Sequence, residues 1–245
     1  MQVTHRIWLV GSGMYGFGLT HPSDCHIWLI DGGTEACLID TGSGVDTAAV
    51  LARIDRTPIP RARITRAFVT HAHGDHGGGA AGLREALGLE VCASPEVAGI
   101  LRSGDERAAS VDIGKAQGTY RPEYVYRAVD AVREVADRER IRVGEVEVEV
   151  VATPGHATGH TAYLVHDGAR SDLFTGDTLL FGGLIILQNT WDCDLTAHLA
   201  TIRRLGEHPH DGLFPGHLTF SVSDGMRHLR VALAALERGG IPPTL

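Results

Sequence analysis

The stretch THAHGDHGGG, residues 70–79, places three histidines and one aspartate within six positions. These residues are His71, His73, Asp75 and His76. A histidine is costly to bury and contributes little packing, so a cluster on one short turn indicates that the side chains share a ligand. Imidazole and carboxylate donors without a thiolate suit zinc, iron or manganese.

Three further metal-capable side chains each follow a predicted strand and stand next to a glycine. They are His156 in TPGH, Asp177 in TGD and His217 in PGH. The strands that lead to the cluster and to these three residues are predicted over 63–70, 146–152, 170–175 and 212–215. Glycine lets backbone segments approach closely and adopts positive φ without cost. Four loops therefore supply seven candidate ligands, enough for two metal ions.

Hydrophobic periodicity and turn signals predict the remaining elements. Strands are expected over 4–10, 26–31, 36–42 and 89–94, and hairpins over 140–156 and 161–177. Helices are expected over 42–54, 78–88, 194–208 and 223–240, with another beginning at Pro95. The second arm of the first hairpin alternates valine and glutamate, which predicts a strand with one exposed face.

We interpret residues 1–245 as a single domain that carries one insertion. Residues 103–137 are polar, mixed in charge and hold three of the five tyrosines. This segment is predicted to be irregular or helical. It could close over the site as a lid or form the contact of a homodimer.

Composition narrows the functional class. The 245 residues are 43% hydrophobic and 21% charged, which is typical of a globular protein with a sizeable core. A formal net charge of −8 argues against a nucleic-acid partner, and no apolar run is long enough for a membrane helix. The four cysteines are not at CxxC spacing, and the first residues show no secretory signal. We therefore expect a cytoplasmic protein that acts on a small molecule.

The motifs resemble those of a known family. THAHGDH matches the HxHxDH signature of the metallo-β-lactamase superfamily, and PGHATGH, FTGDTL and FPGH match its later motifs in the same order. The resemblance covers essentially the whole chain, to about residue 235. It implies an α/β fold, a four-layer αββα sandwich with the site at one edge.

The resemblance also implies how the ligands divide between two divalent ions. One ion would be held by His71, His73 and His156, the other by Asp75, His76 and His217, with Asp177 between them. Zinc is the preferred ion, and iron and manganese are alternatives. Such a dinuclear metal site implies hydrolysis by a metal-bridging hydroxide. Asp75 would orient that hydroxide and shuttle its proton.

Fold alone does not decide the reaction. Asp177 stands where the best-known secreted metallo-β-lactamases have a cysteine, and in this it resembles glyoxalase II and the acyl-homoserine lactonases. The first hypothesis is therefore hydrolysis of a small carboxylic thioester, ester or lactone. The sequence ends soon after its last predicted helix, so we do not expect the C-terminal helical region with which glyoxalase II binds glutathione. Two alternatives stay open: a mononuclear iron dioxygenase acting on a thiol or persulfide, and a non-catalytic, metal-dependent metabolite-binding protein.

Two stretches are expected to shape the substrate pocket, the glycine-rich loop 11–24 and the segment 184–194. The candidate pocket residues are Tyr15, Phe17, His26, Gln188, Asn189 and Trp191. Among the other histidines, His160 is expected to orient a ligand or to satisfy backbone groups. The remainder are interpreted as surface or capping residues: His5, His21, His166, His198, His208, His210 and His228.

Overall fold

Two β-sheets lie face to face in the computed structural model, which describes residues 1–168 and 170–245. The first sheet has the strand order β1-β2-β3-β4-β5-β6. Its first three strands pair antiparallel, and β3 to β6 pair parallel. The strands are β1 (Ile7–Gly11), β2 (Ile27–Asp31), β3 (Ala36–Ile39), β4 (Ile64–Phe68), β5 (Glu90–Ala93) and β6 (Val132–Glu134).

The second sheet has the order β11-β10-β9-β8-β7. Its strands are β7 (Arg140–Val143), β8 (Val146–Ala152), β9 (Thr161–Asp167), β10 (Arg170–Gly176) and β11 (Gly212–Pro215). The first four strands form an antiparallel meander, and β11 pairs parallel with β10. Because β8 and β10 are both antiparallel to β9, the strands β8, β10 and β11 all end at the same edge of the sheet.

Helices cover both outer faces. They are α1 (Thr47–Ile54), α2 (Gly74–Gly77), α3 (Ala80–Leu87), α4 (Pro95–Ser103), α5 (Val111–Ala116), α6 (Leu195–Leu205) and α7 (Met226–Glu237). On the first sheet, α1, α3 and α4 pack through Val50, Leu83 and Val97. On the second sheet, α6 and α7 pack through Ile202 and Leu229. The layers are therefore helix, sheet, sheet and helix, which confirms the predicted αββα sandwich.

Successive side chains of a strand belong to different layers. In β2, Leu29 packs against the helices, whereas Trp28 packs against the second sheet. In β10, Leu173 faces α6 and α7, whereas Phe174 faces the first sheet. Because both faces of each sheet are covered, the strand sequences are nearly continuous apolar runs.

Polar side chains determine where several helices begin. Asp194 accepts a hydrogen bond from the Ala197 N–H at 3.0 Å, so α6 begins at Leu195, close to its predicted start. The predicted start of the first helix at residue 42 is five residues too early. The carboxylate of Asp46 accepts from the Ala49 N–H at 3.0 Å and so places the first turn of α1 at Thr47.

The prediction of one exposed face on the second hairpin arm is wrong for Glu149 of β8, which is buried. Its carboxylate lies 2.7 Å from the guanidinium of Arg140 and 3.2 Å from the imidazole of His166. His208, just beyond α6, lies 3.6 Å away. A charged side chain is buried at low cost when such partners surround it.

The segment 103–137 lies against the helix side of the first sheet. It contains α5, and its last residues form β6 and so belong to that sheet. The hydroxyl of Tyr126 donates to the Ala72 carbonyl at 2.9 Å, and that of Tyr124 donates to the Ser43 carbonyl at 2.7 Å. The segment is thus fastened to the loop that carries the histidine cluster.

Among the helices of residues 1–168 and 170–245, none combines the length and the apolar character that crossing a membrane requires.

Candidate metal centre

Four loops at one edge of the sandwich bring the seven candidate ligands together. The cluster 71–76 follows β4 of the first sheet. His156, Asp177 and His217 follow β8, β10 and β11 of the second sheet. The site therefore lies where the two sheets meet and draws side chains from both.

The first group of donors consists of His71, His73 and His156, whose nitrogen atoms lie within 4.8 Å of one another. Nε2 of His156 is 3.3 Å from Nδ1 of His73. The rings of His71 and His73 are perpendicular, with centroids 4.6 Å apart. All three residues are buried. Three imidazoles at one point can supply three of the four ligands of a tetrahedral metal site.

The second group consists of Asp75, His76 and His217. Nε2 of His217 lies 3.1 Å from Oδ2 of Asp75 and 3.3 Å from Nε2 of His76. The Asp75 side chain is 27% exposed, whereas His76 is fully buried. This group therefore has one donor that also reaches solvent.

Asp177 lies between the two groups. Its Oδ1 is 3.3 Å from Nε2 of His76, and its Oδ2 is 3.6 Å from Nε2 of His156. Oδ2 is also 3.4 Å from Nε2 of His217. The two oxygens of one carboxylate thus face donors of both groups.

The donor set fits two divalent cations. Nε2 of His71 and Oδ1 of Asp177 are buried, and neither makes a hydrogen bond with any described residue. A buried polar atom without a partner is costly, and a coordinated cation would satisfy both atoms. Nitrogen and oxygen donors at these separations match zinc, with manganese and iron also compatible.

A buried aspartate that the sequence interpretation missed orients two of the ligands. Oδ2 of Asp40 accepts from Nδ1 of His76 at 2.8 Å, which leaves Nε2 as the donor atom. Asp40 also accepts from the hydroxyl of Thr70, which in turn accepts from Nδ1 of His71 at 3.0 Å. Asp40 directly follows β3 in the sequence IDTG, the same strand-end pattern that identified Asp177.

His160 supports the centre without belonging to either group, as its spacing from His156 suggested. Its Nδ1 donates to the hydroxyl of Thr153 at 2.8 Å, and its Nε2 accepts from the backbone N–H of Asp177 at 3.3 Å. Its ring stacks on His71 with centroids 4.8 Å apart. His160 therefore packs against the candidate ligand His71 and fixes the backbone of a second one, Asp177.

The two groups differ in electrostatic character. Burial, together with the neighbouring imidazoles, lowers the pKa of His71 well below its usual value. Burial also lowers the pKa of His156 to about 4. For His217, burial acts in the same direction, but the carboxylates of Asp177 and Asp75 outweigh it and raise the pKa to about 9. Burial thus favours neutral imidazoles at His71 and His156, whereas the carboxylates around His217 favour a positive charge at that point, which a bound cation would supply in place of a proton.

The glycine beside His217 is required by the close packing of the ligands. A Cβ atom at Gly216 would lie 2.5 Å from Oδ1 of Asp177 and 2.5 Å from Cε1 of His76. Any side chain at this position would displace two donors. This close packing explains why a glycine precedes His217 in the sequence.

The candidate pocket residues lie on two sides of the centre. Tyr15 is 61% exposed, and its ring lies 6.3 Å from that of His217. Phe17 is exposed and stacks on His26, which is buried behind it and donates from Nδ1 to the Pro215 carbonyl at 3.0 Å. His26 is thus a support for this wall rather than part of its surface.

The second side of the centre is formed by the segment that follows a short 3₁₀ helix at residues 181–183. Gln188 and Asn189 are exposed, as is Trp191. The indole N–H of Trp191 donates to the Arg107 carbonyl at 3.2 Å. Trp191 therefore connects this segment to the insertion and does not pack in the core.

The interpretation of the remaining histidines as surface or capping residues is wrong for four of them. His198, His208, His210 and His228 are buried. His198, for example, hydrogen-bonds through Nε2 to the Thr178 carbonyl at 2.7 Å, so it fixes the turn that follows Asp177. Spacing along α6 carries no signal for that contact.

A family model described as the metallo-beta-lactamase superfamily matches residues 21–217, the span that contains every donor of the centre. The chain belongs to the metallo-β-lactamase superfamily. Solved structures of other superfamily members share the fold. The HARLDQ-motif metallo-β-lactamase of Cronobacter sakazakii has a TM-score of 0.70 at 21% identity, covering 98% of this chain and 86% of that one. BJP-1 of Bradyrhizobium japonicum has a TM-score of 0.69 at 21% identity, covering 99% and 84%.

Curated relatives within the superfamily include hydroxyacylglutathione hydrolases. The protein of that name from Pseudomonas savastanoi pv. phaseolicola is 32% identical over 165 residues, which are 66% of this chain and 50% of that protein. The one from Cereibacter sphaeroides is 31% identical over 121 residues, 49% of this chain and 36% of that protein. The chain thus spans half or less of the length of these relatives.

Proposed function

We propose that this protein is a metal-dependent hydrolase that cleaves a small carboxylic thioester, ester or lactone. The observation that carries the proposal is the position of Asp177 between the two donor groups. A carboxylate whose two oxygens face both groups would suit a pair of divalent ions, as in two-metal hydrolytic sites. The similarity to proteins named hydroxyacylglutathione hydrolase supports hydrolysis of an acyl compound.

Zinc is the ion we propose for both positions. His71, His73 and His156 would hold the first ion, and Asp75, His76 and His217 the second, with Asp177 shared. When bound there, the ions supply an acidified water and polarise the carbonyl oxygen of the substrate. The chain itself fixes the donors: Asp40 and Thr70 hold their side chains from the core side.

We assign the proton transfer to Asp75. Its carboxylate touches His217 at 3.1 Å and is the partly exposed donor of its group, so it contacts both the centre and an arriving substrate. Burial opposes the charged form, but the neighbouring His76 and His217 lower the pKa of Asp75 to about 2. A carboxylate in this position can hold the attacking water and pass its proton to the leaving sulfur or oxygen.

The walls of the centre favour a substrate with an apolar part. Met14, Tyr15 and Phe17 expose apolar side chains on the loop that adjoins His217. Leu218, next to His217, donates its N–H to the Tyr15 carbonyl at 2.7 Å, which ties this loop to the ligand. On the opposite side stand Gln188, Asn189 and Trp191, which we propose contact the polar part of the substrate.

The insertion up to β6 is proposed as a cover for the site rather than a dimer contact. Two of its tyrosines are used within the chain: Tyr126 donates to the carbonyl of Ala72, which lies between His71 and His73, and Tyr124 donates to the carbonyl of Ser43. The backbone carbonyl of Thr119 accepts from the hydroxyl of Ser23 at 3.1 Å, which joins the insertion to the loop of Tyr15. These contacts support a small-molecule pocket closed from three sides.

The test is a panel of thioesters, esters and lactones given to zinc-loaded protein, with free acid and oxygen uptake followed together. We expect acid release without oxygen uptake, and none from a His71→Ala variant. The dioxygenase alternative would be supported if iron-loaded protein consumed oxygen with thiols or persulfides and released no acid from the panel. Tight ligand binding without any turnover would assign the metabolite-binding alternative.

A further inference from the structure

The segment between the short 3₁₀ helix at residues 181–183 and α6 runs directly past the first donor group. The Ile186 carbonyl accepts a hydrogen bond from Nδ1 of His156 at 3.2 Å. A proton on Nδ1 leaves Nε2 of His156 with a free lone pair. That Nε2 is the atom that faces Nδ1 of His73 at 3.3 Å. The segment therefore selects the tautomer in which His156 points its lone pair into the centre.

Six residues further on, the same segment brings a carboxylate to His73. The side chain of Asp192 is only 3% exposed, and its Oδ2 lies 3.4 Å from Nε2 of His73. The backbone N–H of Thr158 donates to the same oxygen at 3.3 Å. Oδ1 of Asp192 and Nε2 of His73 are both buried and make no hydrogen bond within the described part of the chain.

These contacts assign a role to Asp192. A buried carboxylate is costly unless a partner compensates its charge, and the neighbouring donors are His73 and the Thr158 amide. A carboxylate beside Nε2 keeps the imidazole proton on that atom, so that Nδ1 is left as the metal-binding atom. Nδ1 is also the atom that His73 directs towards His156.

We propose that Asp192 is a positioning residue that orients His73 for the first metal position, and that the segment 186–192 serves that position alone. The second position has a different support, because Asp40 holds His76 from inside the first sheet. The inference rests on the proposed metal centre and is independent of which substrate is hydrolysed.

Trp191 keeps the segment in place. Its ring is 57% exposed, so it gains little from core packing, yet its indole N–H donates to the Arg107 carbonyl at 3.2 Å. Asp192 is thus held on one side by the insertion and on the other by the Thr158 amide. In the first group, His73 and His156 are thus supported by this surface segment, whereas His71 is held from the core through Thr70, as His76 of the second group is through Asp40.

The experiment measures zinc affinity at each position in Asp192→Ala and Asp192→Asn variants, by competition with a chromophoric chelator. Cobalt absorption spectra of the same proteins report the ligand set. We expect the zinc ion at the first position of Asp192→Ala to be bound about 10–100-fold more weakly, the range for removal of an outer hydrogen-bond partner. The other ion should keep its affinity. Asp192→Asn retains an acceptor oxygen, so its zinc affinity should fall less than that of Asp192→Ala.

Asp194→Ala is the matched control. Asp194 lies two residues away and caps α6 by accepting from the Ala197 N–H at 3.0 Å, so its removal should lower thermal stability and leave both zinc affinities unchanged. Wild-type affinity at both positions in Asp192→Ala would overturn the proposal, as would an equal loss at both. If the alanine variant does not fold, the asparagine variant decides by the same criteria. Because no substrate is used, the result stands apart from the test of hydrolysis.

Discussion

Oδ2 of Asp40 lies 2.8 Å from Nδ1 of His76, and both side chains are buried. The aspartate sits at φ 60°, in the left-handed region where aspartate and asparagine are tolerated better than other side chains. Its carboxylate is thus held by an unusual backbone conformation directly behind a ligand of the second donor group. Loss of its charge should therefore affect the metal centre more than the fold.

Asp40→Asn tests this relationship. Asparagine fits the backbone but replaces the charged acceptor of His76, so zinc affinity at the second position should fall about 10–100-fold. Zinc titration measures the affinity, and thermal unfolding of the same samples checks that the fold persists. Unchanged affinity at both positions would contradict the role assigned to Asp40.

Two variants separate metal binding from proton transfer. His71→Ala removes a buried donor and should abolish turnover together with tight binding of the first ion. Asp75→Asn keeps the size of the side chain but cannot accept a proton, so turnover should fall about 10²–10⁴-fold, the range for general acid–base groups. Rates are compared on samples whose metal content has been measured. Near-normal turnover in either metal-verified variant would refute the proposed mechanism.

Gly216→Ala should disrupt the centre from the backbone side. Its methyl group would lie 2.5 Å from Oδ1 of Asp177, so we expect reduced zinc content and loss of activity. Gly99→Ala in α4 is the control, because a Cβ there meets no atom within 4 Å. In a helix that change should stabilise the fold by about 0.5–1 kcal/mol. Equal zinc content in both variants would show that the close approach at Gly216 is dispensable.

Removal of the metal should lower thermal stability, because the donors come from both sheets and a ligand that binds only the folded state stabilises it. At a free zinc concentration of about 100 times the dissociation constant, binding raises the free energy of unfolding by about 2.7 kcal/mol for each site. Calorimetry before and after chelator treatment measures the difference. A melting temperature that does not depend on zinc would mean that the ions contribute nothing to the folded state.

Phe17→Ala should affect substrate binding. Phe17 stacks on His26 and packs at a tilt against Phe220, so its loss removes apolar surface from the pocket wall. For substrates with an apolar acyl group we expect kcat/KM to fall about tenfold, in line with the loss of small apolar groups from a pocket. A short, polar substrate serves as the internal comparison and should be less affected. An equal fall for both kinds of substrate would place Phe17 outside the binding surface.

The sequence predicts the fold well, and it also predicts which side chains meet at one edge of the sandwich, because both depend on local patterns. Apolar runs that end in a glycine and a metal-capable side chain identify His156, Asp177 and His217 without knowledge of the tertiary structure. Asp40 carries a similar strand-end signal, but it is not adjacent in sequence to any histidine, so its pattern alone does not mark it as part of the centre.

Other features depend on contacts between distant segments and leave no local signal. Asp192 matters only because its loop passes His73, which is 119 residues earlier in the chain. Glu149 lies in an alternating pattern that is typical of a half-exposed strand, and it is buried because Arg140 and His166 meet it from neighbouring strands. His198 is buried because a carbonyl of another loop accepts its hydrogen bond.

The division of the ligands between the two sheets has a consequence for how the protein matures in the cell. Four donors lie within residues 71–76, but the remaining three are spread to residue 217. During synthesis the early cluster leaves the ribosome first, and by itself it is an incomplete set of donors. The full donor set exists only once β11 has paired with β10 and delivered His217. A cation that needs all seven donors would therefore be held only after both sheets are in place.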